Sequence, residues 1–208
     1  PPRSTLFPYT TLFRSLILSK VVIIASGFGS NLISMVGLDK HRVGDYLVGA
    51  QVISHAPDID HTHVFTGNDY IPGSFGWLVP TVNNKALLGA VFRKTSKDLF
   101  SGFIDYMKNK NLVFHSESSV RYWGIPVRPL KKTFSRRALV VGDAAGFAKP
   151  TTGGGIYYAI LSGLFAAETI LSAEGNFECK TMARYETLWE RKFGRELNVG
   201  YYARLLYE

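Results

Sequence analysis

The sequence predicts a mixed α/β (α+β) fold: one α/β layer, interrupted by an antiparallel sheet and finished by C-terminal helices. Three observations carry this. Two short runs rich in β-branched residues, 19–25 and Ala138–Val141, each stop at small residues and lead into helical sequence. Between them lie several strand-like runs separated by turn formers, the pattern of an antiparallel sheet. After the second run come a long apolar stretch and an aromatic-rich tail, both with helical spacing.

Composition sets the outer bounds. The 208 residues are 46% hydrophobic and 19% charged, which is globular and ample for a sizeable core. A single cysteine, Cys179, excludes an internal disulfide framework and a cysteine-based zinc cluster, and it suits a reducing cytoplasm. Thr5–Ser15 resembles a translated sequencing adapter, and the chain does not start with methionine. Residues 1–15 are therefore read as an artefactual leader on a frame truncated at its 5′ end. Setting aside Arg3 and Arg14 lowers the net charge from +8 to +6. The densest basic group, Arg128, Lys131, Lys132, Arg136 and Arg137, has no nucleic-acid motif around it. It reads as a solvated connection or as a basic rim near an anionic ligand, and no nucleic-acid partner is expected.

Four segments follow the leader. In 16–44, the strand at 19–25 meets the turn Ser26-Gly27-Phe28-Gly29-Ser30 and a short helix from Asn31 to Leu38. Segment 45–130 holds the antiparallel sheet, with strands near Asp45–Ser54, Thr62–Thr66, Gly76–Pro80 and Ala86–Arg93. Within it, Thr95 and Asp98 form a capping pattern, and Leu99, Phe100, Phe103, Ile104 and Met107 recur at helical spacing. A second β segment, Leu112–Ile125, runs to Pro126 and Pro129. Segment 131–175 holds the strand Ala138–Val141, a loop of Gly, Pro and Thr, and a helix from Gly155 to Ala173. Segment 176–208 is helical from Met182 to Leu206. Ile156–Ala173 approaches the length of a membrane span, but Ser162, Gly163 and Glu168 interrupt it and no basic flank opens it. It is expected to be a helix buried inside the protein core.

Two glycine patterns compete for a ligand. Gly27-Phe28-Gly29 follows a strand, but Leu32 stands where a dinucleotide fingerprint needs its third glycine, so Gly27 is read as a turn letting the strand pass close to a ligand. The stronger pattern is Gly142-Asp143-Ala144-Ala145-Gly146, followed by Pro150, Gly153, Gly154, Gly155 and Ile156. A strand ending at Gly142 puts Asp143 at the carboxyl edge of a sheet, where α/β folds bind ligands. Its carboxylate can accept hydrogen bonds from sugar-like hydroxyls. The glycines at the start of the next helix leave amide N–H groups outward, with the positive end of the helix dipole, suited to a phosphate or a reduced flavin. The bland alternative is that these small residues only permit tight strand–helix packing.

This run resembles the second FAD-binding motif of the hydroxylase-fold flavoproteins. The Gly146 form, with Gly153-Gly154-Gly155-Ile156 and two tyrosines after it, is similar to the geranylgeranyl reductase family of FAD-dependent oxidoreductases. Phe75-Gly76-Trp77-Leu78-Val79-Pro80 resembles that family's aromatic-x-Trp-x-Phe-Pro motif, with Val79 in place of the usual Phe. The resemblance implies an incomplete FAD-binding Rossmann-like domain, interrupted by an antiparallel substrate domain. It assigns Gly142, Asp143, Ala144, Ala145, Gly146, Pro150, Gly153, Gly154, Gly155, Ile156 and Gly27 to the cofactor. It assigns Phe75, Trp77 and Pro80 to the substrate wall.

The implied activity is FAD-dependent reduction of C=C bonds in geranylgeranyl-type isoprenoid chains, with NAD(P)H or ferredoxin as reductant. A prenyl lipid is the partner, and a cytoplasmic location with peripheral membrane contact is expected. The alternatives are an FAD monooxygenase or halogenase of the same fold, and a lipid-binding module without chemistry. No Gly-x-Gly-x-x-Gly βαβ unit for the ADP half of FAD precedes these segments, so the chain is expected to be an inactive or poorly folded fragment. No metal site is expected, because His55, His61 and His63 fall in a loop-like stretch without ligand spacing.

Overall fold

The computed structural model describes residues 18–40, 46–93 and 97–206. The leader, Asp45 and the capping residue Thr95 lie outside these residues.

Val22–Ile24 forms β1, which pairs in parallel with β8, Ala138–Val140; β7, Phe134–Ser135, adds an antiparallel partner on the other side of β8. β8 is buried throughout, as expected of a short apolar strand between layers. The helices α1 (Leu32–Met35), α3 (Gly142–Ala145), α4 (Ile156–Ser172), α5 (Cys179–Trp189) and α6 (Arg195–Leu205) belong to this half. A π-helical turn, Glu190–Gly194, joins α5 to α6. Phe147, Tyr158, Tyr185, Trp189 and Phe193 fill its core beside Leu139 and Val140. Two polar ties cross that core: Tyr185 Oη–H donates to Val140 O at 2.7 Å, and Trp189 Nε1–H donates to Thr133 Oγ1 at 2.9 Å.

The inserted sheet runs β3-β4-β5-β2-β6, all antiparallel, from β2 Tyr46–His55, β3 His63–Gly67, β4 Ile71–Pro80, β5 Lys85–Phe92 and β6 Arg121–Pro126. Side chains alternate between its faces. One face, with Ala50, Val52, Leu78, Leu88 and Ala90, buries against α2, Lys97–Asn109. The helical spacing of the sequence puts Phe100, Phe103 and Met107 on that contact, all fully buried. Each such side chain contributes about 1.5–3 kcal/mol by leaving water. The β4–β5 turn uses Asn83 and Asn84 at φ 61° and 56°, a left-handed conformation that asparagine tolerates.

Two expectations need correction. The predicted strand Leu112–Ile125 shortens to β6. Its first part is polar at 115–119 and meets β2 through a single bridge, Ser54 to Ser116, plus irregular hydrogen bonds. The helix α4 is not enclosed in the core. Tyr158, Ser162, Ala166 and Thr169 face inward, while Ile156, Ile160, Leu164 and Leu171 are 60–81% exposed. The period of 3.6 places these four on one stripe, and no described residue packs over it.

Candidate functional site

Because β1 and β8 are parallel, their carboxyl ends leave on one edge of the sheet. Val141 N–H donates to Ile24 O at 3.0 Å and carries that pairing one residue further. Gly142 then turns the chain at φ +58°, and its N–H donates to Ser162 Oγ at 3.0 Å. The short α3 ends at Gly146, φ +85°. Ala144 and Ala145 are fully buried, so their smallness serves packing. Asp143 is the outward-facing member of this turn. Gly27, φ +73°, has open space where a side chain would begin, and it follows β1 on the same sheet edge.

The next loop folds tightly: Gly153 N–H donates to Lys149 O at 2.8 Å and Lys149 N–H to Gly154 O at 2.9 Å. That returns Gly155 to the Asp143 carboxylate, where a Cβ would lie 2.6 Å from Oδ1. A Cβ on Gly154 would meet only Thr152 Oγ1, at 3.6 Å. Pro150 is buried against Gly200 of α6, and Ile156 at the head of α4 is 81% exposed. The first amides of α4 have no acceptor within the helix and carry its positive dipole end. Desolvation raises the Asp143 carboxyl above the usual carboxylate range. A carboxylate so placed favours incoming hydroxyl donors, because each would restore solvation that folding removed.

The second face of the inserted sheet meets this loop. Phe75 and Trp77 share it, with ring centroids 6.0 Å apart. They pack around Leu47, Val91, Ile125 and Ala148, and Ala148 belongs to the glycine-loop segment. A Cβ at Gly153 would touch Ile125 Cγ2 at 3.3 Å, so loop and sheet are in contact. Trp77 Nε1–H donates to Gln51 Oε1 at 3.2 Å. Its indole lies over Gly89, where a Cβ would be 2.3 Å from the ring. Pro80 closes the other end of β4, paired with Ala86.

Sequence reading missed two contributors. Trp123 lies over Gly49 in the same way, with a Cβ there 2.4 Å from the indole, and so extends the aromatic face. The signal was available: glycine inside a strand marks close approach of another group. The other contributor is α6. Arg204 Nη1–H donates to Pro150 O at 3.1 Å, and Glu196 accepts from Tyr158 Oη–H at 2.7 Å and pairs with Lys149 at 3.3 Å. The tyrosine hydroxyl, then Lys149, holds Glu196 below its usual pKa, while burial and then Glu196 push Tyr158 up.

His61 and His63 stack at 4.3 Å, but no described group of three or more His, Cys, Asp or Glu is placed to hold a metal ion. Among the described residues no helix is long and apolar enough to cross a membrane.

No family model matches the chain. It is 30% identical over 191 residues to a digeranylgeranylglycerophospholipid reductase of Methanococcoides burtonii, covering 86% of this chain and 46% of that protein. It is also 30% identical over 189 residues to the digeranylgeranylglycerophospholipid reductase of Methanocaldococcus jannaschii, covering 84% and 47%. The fold matches a geranylgeranyl bacteriochlorophyll reductase-like protein of Thermoplasma acidophilum with a TM-score of 0.82 at 24% identity, over 91% of this chain and 50% of that one. A flavin-dependent halogenase matches with a TM-score of 0.61 at 17% identity, over 85% of this chain and 35% of that one. The chain thus spans about half the length of the curated relatives it matches. In sequence it is similar to digeranylgeranylglycerophospholipid reductases over about half their length, whereas the halogenase shares the fold alone.

Proposed function

We infer that this chain supplies the flavin-facing loop and the substrate wall of an FAD-dependent reductase acting on C=C bonds of geranylgeranyl-type isoprenoid chains. The observation that carries the reading is the outward-facing Asp143 carboxylate, set against Gly155 at the sheet edge and beside an aromatic sheet face. The names of its relatives supply the substrate class.

The residues fit the cofactor. Asp143 would accept hydrogen bonds from the hydroxyls of the ribityl chain. The open approach at Gly154 and the bare Gly155 leave a cradle that any side chain would fill. The free amides and dipole of α4 would stabilise negative charge placed before them. When bound, the flavin supplies the hydride for the double bond. Phe75, Trp77 and Trp123 offer an apolar wall without charge, which suits a hydrocarbon and excludes water at about 25 cal/mol per Å² buried. In this reading segments 16–44 and 131–175 serve the cofactor and 45–130 the substrate. The helices of 176–208 lock the loop through Arg204 and Glu196.

Two substitutions in the full-length protein test this. Asp143→Ala is expected to weaken flavin binding by about 1.5–3 kcal/mol, roughly 10–100-fold, read from flavin content and titration. Unchanged flavin content removes Asp143 from the site. Trp77→Ala is expected to lower prenyl reduction in an assay that also offers small aromatic acids and halide. Wild-type prenyl reduction in that variant, or turnover of the aromatic acids alone, would promote oxygen-activating chemistry instead.

A further inference from the structure

Two indoles on the aromatic face each lie over a glycine of the neighbouring strand: Trp77 of β4 over Gly89 of β5, and Trp123 of β6 over Gly49 of β2. Neither glycine has a left-handed φ, so the backbone does not require the residue there. Glycine also weakens a strand interior, so what it offers at these two positions is room. The indoles use that room. A Cβ on Gly89 would lie 2.3 Å from the Trp77 ring, and one on Gly49 2.4 Å from the Trp123 ring. Carbon atoms rest about 3.5–4 Å apart, so an alanine at either position must lift its indole by about 1 Å. A latch completes the arrangement. Gln51 pairs with Gly89 from the far side, and Trp77 reaches across β5 to donate its Nε1–H to Gln51 Oε1 at 3.2 Å. The Trp77 ring is thus held down twice, over Gly89 and at Gln51. Val91, buried and paired with Gly49, fills the floor between the two indoles with an apolar side chain.

The depth of an apolar wall decides the thickness of the chain it admits. A methyl-branched hydrocarbon is thicker than a straight one at every branch, and packed surfaces yield poorly to an added methyl group. An indole raised by about 1 Å takes up much of the space that a branch needs. We propose that Gly49, Gly89 and Gln51 are positioning residues that set chain specificity: they keep the Trp123 and Trp77 indoles flat, and so give the wall the depth that a methyl-branched chain requires. A straight chain fits the same depth loosely. The assignment rests on reading the Trp77 face as the isoprenoid wall. Each of the three acts through an indole, Gly89 and Gln51 through Trp77 and Gly49 through Trp123.

The test uses the full-length protein with oxidised flavin and no reductant, so that binding is measured without turnover. Phytanyl phosphate and hexadecyl phosphate share a head and a backbone and differ only in methyl branches, and calorimetry gives the ratio of their affinities. The parent is expected to favour phytanyl phosphate by about tenfold or more. Gly89→Ala should weaken phytanyl phosphate by about tenfold or more and hexadecyl phosphate by less than about threefold, so that the ratio collapses. Gly49→Ala should act in the same sense through Trp123. Trp77→Phe added to Gly89→Ala gives back the room and should restore most of the ratio, which a glycine needed only for packing of the strand would not allow. Gln51→Leu puts no bulk under the ring and breaks only the latch. It should lower the ratio about threefold or more, and Gln51→Glu should stay closer to the parent because an acceptor remains. If Gly89→Ala does not fold, Gln51→Leu decides alone. No preference for phytanyl phosphate in the parent overturns the proposal, as does an unchanged ratio in Gln51→Leu and in folded Gly89→Ala. Equal weakening of both ligands in Gly89→Ala, unrelieved by Trp77→Phe, overturns it in favour of a packing role. Wild-type prenyl reduction in Trp77→Ala rejects the wall reading itself. Lowered reduction in Trp77→Ala with an unchanged ratio in the Gly89 and Gln51 variants rejects the specificity assignment alone.

Discussion

The helices α2 and α4 lie on different sheets and are built on different terms. α2 turns Phe100, Phe103 and Met107 onto the inserted sheet and leaves polar residues to water. α4 turns Ala166, Ser162 and Thr169 inward and leaves Ile156, Ile160, Leu164 and Leu171 in the open. Their carboxylates differ in the same sense. Glu117, beside the inserted sheet, pairs with Lys85 and has His55 and His115 nearby, and the Lys85 hydrogen bond leads in holding its pKa down. Asp143, at the head of the other half, is raised by desolvation. The contrast teaches that the carboxylate beside the inserted sheet finds its counter-charge within the protein, whereas Asp143 stands at a sheet edge open to a donor from outside.

The comparison can be broken most strongly at Phe103. It is fully buried and touches the space over Gly76, so Phe103→Ala is expected to cost about 3–5 kcal/mol in urea unfolding. The full-length variant should keep its flavin while folded, and loss of flavin without loss of the sheet would show that the halves are not separately built. Tyr185→Phe probes the other core. Removing the hydroxyl that donates to Val140 O should cost about 1 kcal/mol, and a value near zero would mean that this tie is replaced by water.

Gly154→Val sharpens the contrast between fold and site. The position is open and its φ is not left-handed, so stability should change by no more than about 0.5 kcal/mol while flavin is lost. A large loss of stability with flavin affinity intact would make Gly154 a packing residue. The smallest expected effect is on the pH profile. Asp143 binds its proton more tightly in the folded state, so its contribution falls as pH rises through the window between its ordinary and raised values. Glu117 has the opposite sign: its contribution is present above its ordinary value and is lost as pH falls through the lowered one. Asp143→Asn without flavin should therefore be more stable than the parent at neutral pH, measured by urea midpoints from about pH 3 to pH 7. A steeper fall with rising pH in that variant would contradict the assigned sign.

Much of this was legible before any coordinates. The runs around Val22 and Ala138 were legible as short strands, because β-branched residues stop there at glycine-containing turns, but only Ala138–Val140 is buried along its length, while Val22 and Ile23 are exposed. α2 followed from its period, and the Asp143 loop from its dense small residues, since those signals act over a few positions along the chain. The tail began earlier than its apolar spacing suggested, at Cys179, because the first turn is exposed and held by backbone bonds to Glu178 O, which leave no apolar period to read.

What only the tertiary structure decided joins distant positions. Trp123 over Gly49 and Trp77 over Gly89 depend on strand register, which pairs residues far apart. Arg204 meets Pro150 across 54 positions because α6 folds back over the loop. The exposed stripe of α4 was equally hidden. An apolar helix reads the same whether one of its faces is covered or both, and only the packed neighbours settle which water the side chains lose.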